Sequence, residues 1–363
     1  MLKSPKRRLF AACTCCAEPF AATSLSRREL LAGGASLGLA AMAGVAAPAL
    51  AQAKPHRIDI HHHVTPPSWL AAMDVIGRTN PPLANWSVQK TLEDMDKGGV
   101  ATSIVSPTAP QVTPLGKAVA VRIAREANEY SAKMMADHPG KFGIFATLPL
   151  PHIDESLKEI AHVFDNMKVD GIGMMTNYGD KWLGYSYFDP IWAELNRRKA
   201  VVYTHPTDAT GCVNLVQGQG ASGIEWGTDT TRTLINLIFS GTTQKYPDIK
   251  FIWSHGGGAL VAFAERFLIQ WVNTPPYRGK FTREQVQAEL NKFYYDTAQV
   301  SLVGTLSALA KLVPVSQIVY GTDFPYRTAA DHTKGVNATF SGDDLKAVDR
   351  ENAVRLIPRL KSA

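Results

Sequence analysis

The sequence predicts an α/β chain folded as a single (β/α)8 TIM barrel. Three observations carry this. Eight short β-like runs recur over about 300 residues, and stretches of helical periodicity separate them. Strands alternating with helices pair in parallel through right-handed crossovers, and eight such units suffice to close a barrel. No Gly-rich dinucleotide fingerprint follows the first run, which counts against the alternative, an open doubly wound sheet. With 363 residues, 45% of them hydrophobic, the chain has ample material for one large core.

Residues 1–51 read as a twin-arginine signal peptide. Arg27 and Arg28 in "SRRELL" precede a mildly apolar stretch rich in Gly and Ala. Ala49-Leu50-Ala51 fits a small-x-small cleavage site, which makes Gln52 the first mature residue. An uncleaved anchor is the alternative, but the stretch is weakly apolar for a permanent span. The reading implies a periplasmic or exported protein and the Tat export machinery as a partner, which carries proteins already folded around their cofactors. The leader holds six of the 38 Lys/Arg and two of the 32 Asp/Glu, so residues 52–363 carry a net charge of only +2. That balance gives no case for a nucleic-acid partner. Cys13, Cys15 and Cys16 lie in the leader without the second half of a metal clip. The mature chain keeps only Cys212, so it forms no internal disulfide.

Residues 52–363 are read as one barrel domain. Strands are expected at 57–63, 101–107, 142–148, 171–177, 200–206, 249–255, 292–298 and 317–323. "GKAVAVRIAREANEYSAKMMADHPG" (116–140) has apolar residues at helical spacing and a Pro-Gly stop. "DESLKEIAHVFDNM" (154–167) opens with acids in its first turn, and "FDPIWAELNRRK" (188–199) has Pro190 early, as at a helix start.

The first strand reads "RIDIHHH". Simple alternation puts Asp59, His61 and His63 on one face and His62 on the other. The chemistry of this fold collects at the C-terminal strand ends, where His61 and His63 sit. Two imidazoles at i and i+2 can grip one metal ion, leaving His62 to pack on a helix or bond to a loop. Three or four ligands are usual, so further donors are needed. The fifth strand ends in His205, the sixth in His255 and the eighth in Asp323, each closing an apolar run where burial is costly without a partner. Singly, each reads as a satisfied core histidine or a helix-capping aspartate; together with His-x-His they occupy one end of the barrel. His56, His138, His152, His162 and His332 read as surface or loop residues.

In this order and spacing, "DIHHH", "THP", "SHGGG" and "GTDFP" resemble the amidohydrolase superfamily over residues 56–358. They are most similar to its mononuclear branch, which holds aminocarboxymuconate-semialdehyde decarboxylase and related non-oxidative decarboxylases. "DTTRT" (229–233), "NYGDKWLG" and "ENAVRLIP" resemble 6-methylsalicylate decarboxylases within that branch. The resemblance implies His61, His63, His205 and Asp323 as metal ligands, with His255 the catalytic histidine beside the ion. Binuclear members carry a carboxylated lysine at the end of strand 4; "GMMTNY" has none, so one ion is expected. Three imidazoles and a carboxylate suit Zn²⁺ best and Mn²⁺ second.

The implied reaction is decarboxylation of an aromatic or unsaturated hydroxy acid. The ion would hold an ortho-hydroxy carboxylate by two oxygens. Asp323, when protonated, would deliver a proton to the ring carbon; alternatively His255 would activate a water that adds to the substrate. The same site could instead hydrolyse a lactone, ester or amide, and a non-enzymatic exported metal-binding protein is the third alternative. Trp226, Arg232, Phe324 and Tyr326 are candidates for holding the organic part of the substrate. Arg232 either clamps a carboxylate or makes an ion pair at a helix start. Gly256, Gly257 and Gly258 either bring backbone close to a ligand or form a tight βα turn. Trp69 reads as packing rather than a lid. The expected partner is a small carboxylic acid, and a homodimer is left open.

Overall fold

The computed structural model describes residues 56–213 and 215–362. The leader readings therefore lie outside the described residues. Among these, no helix is long and apolar enough to cross a membrane.

All eight expected strands form: β1 (Arg57–His63), β2 (Val100–Ser106), β3 (Phe142–Thr147), β4 (Gly171–Met175), β5 (Val201–His205), β6 (Lys250–Trp253), β7 (Tyr294–Asp296) and β8 (Ile318–Val319). They lie side by side in chain order, and every paired neighbour is parallel. Parallel strands covered by helices are buried on both faces, which is why they read as near-continuous apolar runs. β8 is short: its ladder stops at Val319, opposite Asp296 at the end of β7, and the chain turns at Asp323, whose φ is 62°. The segment after it still docks on β1. Ile60 N donates to Tyr320 O at 2.9 Å, Asp323 N to His61 O at 2.8 Å and His63 N to Phe324 O at 2.8 Å. These bonds bring the last strand back to the first and nearly close the barrel.

Helices fill the connections between the strands, and three of them lie where the periodicity places them. α1 (Val88–Gly98) begins where Ser87 Oγ accepts from Lys90 N at 3.2 Å, and ends at Gly99 in the left-handed region. α2 (Lys117–Asp137), α3 (Ile153–Asn166, with Asp154 and Glu155 in its first turn) and α4 (Asp189–Arg197, with Pro190 in its first turn) match the three expected helices. α5 (Glu225–Phe239) and α6 (Ala329–Thr339) matter for the site below.

Strand β1 departs from simple alternation. Asp59 pairs with Ser103 and His62 with Val105, so a step of two residues on β2 faces a step of three on β1. The extra residue is a β-bulge. It resets the phase of the strand. Ile58 and Ile60 pack in the apolar barrel interior with Ile104, Phe145, Tyr203 and Ile252, and the bulge lets His61 and His63 follow them inward. Asp59 therefore falls on the side of His62, correcting its expected place beside His61 and His63. Its Oδ2 lies 2.9 Å from His62 Nδ1 and accepts from Thr322 Oγ1 at 2.7 Å. His62 also reaches Thr91 of α1 at 3.3 Å, so it faces a helix.

The C-terminal segment packs Ala353, Leu356, Ile357 and Leu360 against Ile58 and Val201 at the strand starts. Apolar side chains thus fill the barrel from that end and leave polar groups to the other.

Candidate metal centre

At the other end, one side-chain nitrogen or oxygen from each of His61, His63, His205 and Asp323 lies within 4.8 Å of all the others, and all four residues are buried. β1 supplies two, the end of β5 supplies His205, and the turn after β8 supplies Asp323. Each imidazole is held through Nδ1. His61 Nδ1–H donates to Asp296 Oδ2 at 2.8 Å, His63 to Ser106 O at 3.3 Å and His205 to Pro206 O at 2.8 Å. Those bonds fix the tautomers and leave each Nε2 lone pair free. Two of these atoms, His61 Nε2 and His63 Nε2, lie 3.2 Å apart. Asp323 Oδ1 lies 3.2 Å and 3.0 Å from them, yet this buried oxygen has no hydrogen-bond partner.

Lone pairs and an unpartnered carboxylate oxygen at such separations repel unless a positive charge lies among them. The proton affinities of the cation-free cluster say the same. Burial works against a charged His61, but Asp296 and Asp323 raise its pKa to about 10. Burial lowers His63, and drives His205 well below its ordinary value. Burial opposes ionisation of Asp323, but the His61 charge beside it and the contact with His255 hold it well below the usual carboxylate range. The cluster thus favours a positive charge at its centre. A divalent ion fits that demand and takes the place of the His61 proton.

His255 sits beside the four, not among them. β6 ends at Trp253, and residues 254–257 form a 3-10 turn with His255 at φ 54°. Asp296 Oδ1 accepts from its backbone N at 2.8 Å. Its Nε2 lies 3.4 Å from Asp323 Oδ2, the oxygen that also accepts from Gln299 Nε2 at 2.7 Å. Gly256, Gly257 and Gly258 all have positive φ. A Cβ on Gly258 would lie 2.1 Å from Gly227 O, and Ala259 N donates to that carbonyl at 3.0 Å. These glycines bring the β6 turn against the start of α5.

A cavity of about 680 Å³ opens over His205, His255 and Asp323 and is walled by Trp226, Tyr326 and Val300. The other two substrate candidates are placed elsewhere. The Phe324 ring stacks on His62 with centroids 4.8 Å apart. Arg232 pairs with Asp229 at 2.7 Å, lies over Trp182 and borders a separate cavity with Phe239 and Trp271. Asp229 also accepts from Thr176, Asn177 and Trp182, so the "DTTRT" and "NYGDKW" segments meet in one buried hub. Trp69 is buried and donates to Gln111 O at 2.9 Å, a packing role.

His332 corrects its loop reading. It is fully buried in α6, where its Nε2 accepts from Gln299 N at 3.0 Å. Sequence reasoning also misses Asp296. It closes the apolar run "KFYYDTA" just as His205 and Asp323 close theirs, and that shared signal would have found it.

A protein-family model described as Amidohydrolase matches residues 58–359. The chain is 34% identical over 334 residues to Decarboxylase yanB of Aspergillus niger, covering 84% of this chain and 88% of that one. It is 33% identical over 320 residues to 6-methylsalicylic acid decarboxylase of Penicillium expansum, covering 84% and 97%. Among solved structures, a dihydroxybenzoic acid decarboxylase from Polaromonas sp. JS666, with bound manganese and the inhibitor 2-nitroresorcinol, superposes with a TM-score of 0.71. It is 23% identical, with 85% of this chain and 98% of that one covered. The barrel, the buried histidine–aspartate cluster at its mouth and a match across nearly the whole described chain agree: this protein belongs to the amidohydrolase family.

Proposed function

We propose that the chain is a metal-dependent carboxy-lyase that removes CO₂, without oxidation, from an aromatic hydroxy acid of the 6-methylsalicylate type. The observation that carries this is the buried three-histidine, one-aspartate cluster with His255 poised on the second oxygen of the same aspartate. The decarboxylase names of the relatives support it. Zn²⁺ is the first choice for three imidazoles and a carboxylate, and the manganese of the Polaromonas structure keeps Mn²⁺ second. When bound, the ion would orient a carboxylate and its ortho-hydroxyl and stabilise negative charge on their oxygens.

The chain's own residues do the rest. Trp226 and Tyr326 wall the cavity in which the ring would lie. Asp323 Oδ2 and His255 Nε2, 3.4 Å apart, can hold one proton between them. Gln299 keeps that carboxylate in place from its far side. The ring carbon takes this proton as its bond to the carboxylate breaks and CO₂ departs, so that the products are CO₂ and the phenol. The test is a panel of 2-hydroxybenzoates given to the metal-loaded mature protein, with CO₂ and phenol measured. Hydrolysis of lactones or amides without CO₂ from any acid would establish the hydrolase instead.

We infer export from the leader sequence alone. Changing Arg27→Lys and Arg28→Lys together should hold the precursor in the cytoplasm. Mature protein still accumulating outside the inner membrane would reject the twin-arginine reading.

A further inference from the structure

The active-site cavity is short of positive side chains. Among the described residues its lining contains no Lys or Arg, and besides the histidines its only charged members are Asp323 and Asp208. Asp323 belongs to the metal cluster. Asp208 has no place in the chemistry above, yet it is held from two sides. Its Oδ1 accepts from Trp226 Nε1 at 2.9 Å, and its Oδ2 accepts from Arg78 Nη1 at 3.0 Å. The Trp226 ring lies 5.9 Å from that of His205. One indole in the cavity wall therefore links the metal cluster to Asp208.

The Arg78–Asp208 pair is partly solvated, with the two side chains 54% and 29% exposed. Such a pair adds little stability. Its placement between two cavities is what bears on the site. Arg78 follows Gly77 in the connection after β1 and borders a neighbouring cavity together with Asp208. Asp208 engages one nitrogen of this guanidinium and lines the active-site cavity, while Arg78 itself is not among the residues lining that cavity. A second carboxylate on a substrate would then meet Asp208 with no cation free to answer it. We propose that the Asp208–Arg78 pair is a charge filter: it admits aromatic acids with one carboxylate, taken by the metal, and rejects those with a second anionic group away from it. This rests on the decarboxylase reading for the orientation of the substrate. Discrimination by an opposing charge is a common way to reject a close relative of the substrate.

The test is calorimetric titration of the metal-loaded protein with 2-hydroxybenzoate and with 4-hydroxybenzene-1,3-dicarboxylate. The wild type should bind the monocarboxylate at least about tenfold tighter. Asp208→Asn frees Arg78 and should bring the two affinities to parity or reverse them. Adding Arg78→Met to Asp208→Asn should remove the dicarboxylate's gain. Equal binding of both acids by the wild type overturns the proposal, as does binding of neither. An Asp208→Asn variant that weakens both acids alike also overturns it, because that is what mere support of Trp226 predicts. CO₂ release, measured on the same samples, separates this from the reaction: selectivity without CO₂ leaves the filter and removes the decarboxylase, and CO₂ without selectivity does the reverse.

Discussion

Asp296 makes three contacts with one fully buried carboxylate. Oδ2 accepts from His61 Nδ1, and Oδ1 accepts from the backbone N of His255 and of Ala298. It therefore positions His61 of the metal cluster and the backbone of His255, the proposed proton donor, together. An outer partner of this kind typically contributes about 10–100-fold to metal affinity. Asp296→Asn should lower metal affinity by about that factor, measured by competition with a chelator; an unchanged affinity would reduce Asp296 to a loop support. At this scale the sequence shows which residues end strands but not what they touch. His61, His63, His205 and Asp323 are legible because they close apolar runs. The burial of His332 is not, since it depends on Gln299, 33 residues away, donating to its ring. Nor is the fate of Phe324, because stacking on His62 depends on the turn at Asp323.

Two irregular backbone segments shape the site. The bulge in β1 turns His61 inward directly after Ile60, and no pattern of apolar and polar residues reveals one inserted position in advance. Strand existence is legible throughout and β1 keeps its expected bounds, while the ends of β6 and β8 are not legible. β6 stops two residues before His255, which takes a positive φ, and β8 stops four before Asp323, opposite Asp296 at the end of β7. The glycine turn after β6 meets the start of α5, where Gly227 and Trp226 border the cavity. Gly258→Ala would add a Cβ 2.1 Å from Gly227 O at φ 71°. The α5 start must then move, and strain of this kind is worth about 1–3 kcal/mol. Turnover should fall together with the melting temperature; a variant matching wild type in both would mean the close approach is not needed.

Across the whole molecule, the barrel fills one end with apolar side chains and gathers its charge at the other. That division gives stability a pH dependence. Burial lowers the pKa of His332 below its ordinary 6.5, and lowers those of His63 and His205 likewise. As pH falls below about 6.5, the unfolded chain takes up protons on these three histidines that the folded chain refuses, while His61, raised to about 10, is protonated in both states there, so stability falls with pH. Metal loss adds to the effect, because protons compete for the same nitrogens. Melting temperature should therefore drop on acidification from pH 7 to 5, and more steeply for metal-loaded protein than for chelator-treated protein. Equal slopes would show that the metal does not bind at these histidines. The central claim is the division of labour at this end of the barrel: four residues hold the ion and His255 moves the proton. It is tested most directly by measuring metal content and turnover together in His255→Ala. The account predicts about one divalent ion per chain, as in wild type, with turnover reduced about 10²–10⁴-fold. A folded, fully metallated His255→Ala protein that releases CO₂ at the wild-type rate would contradict it.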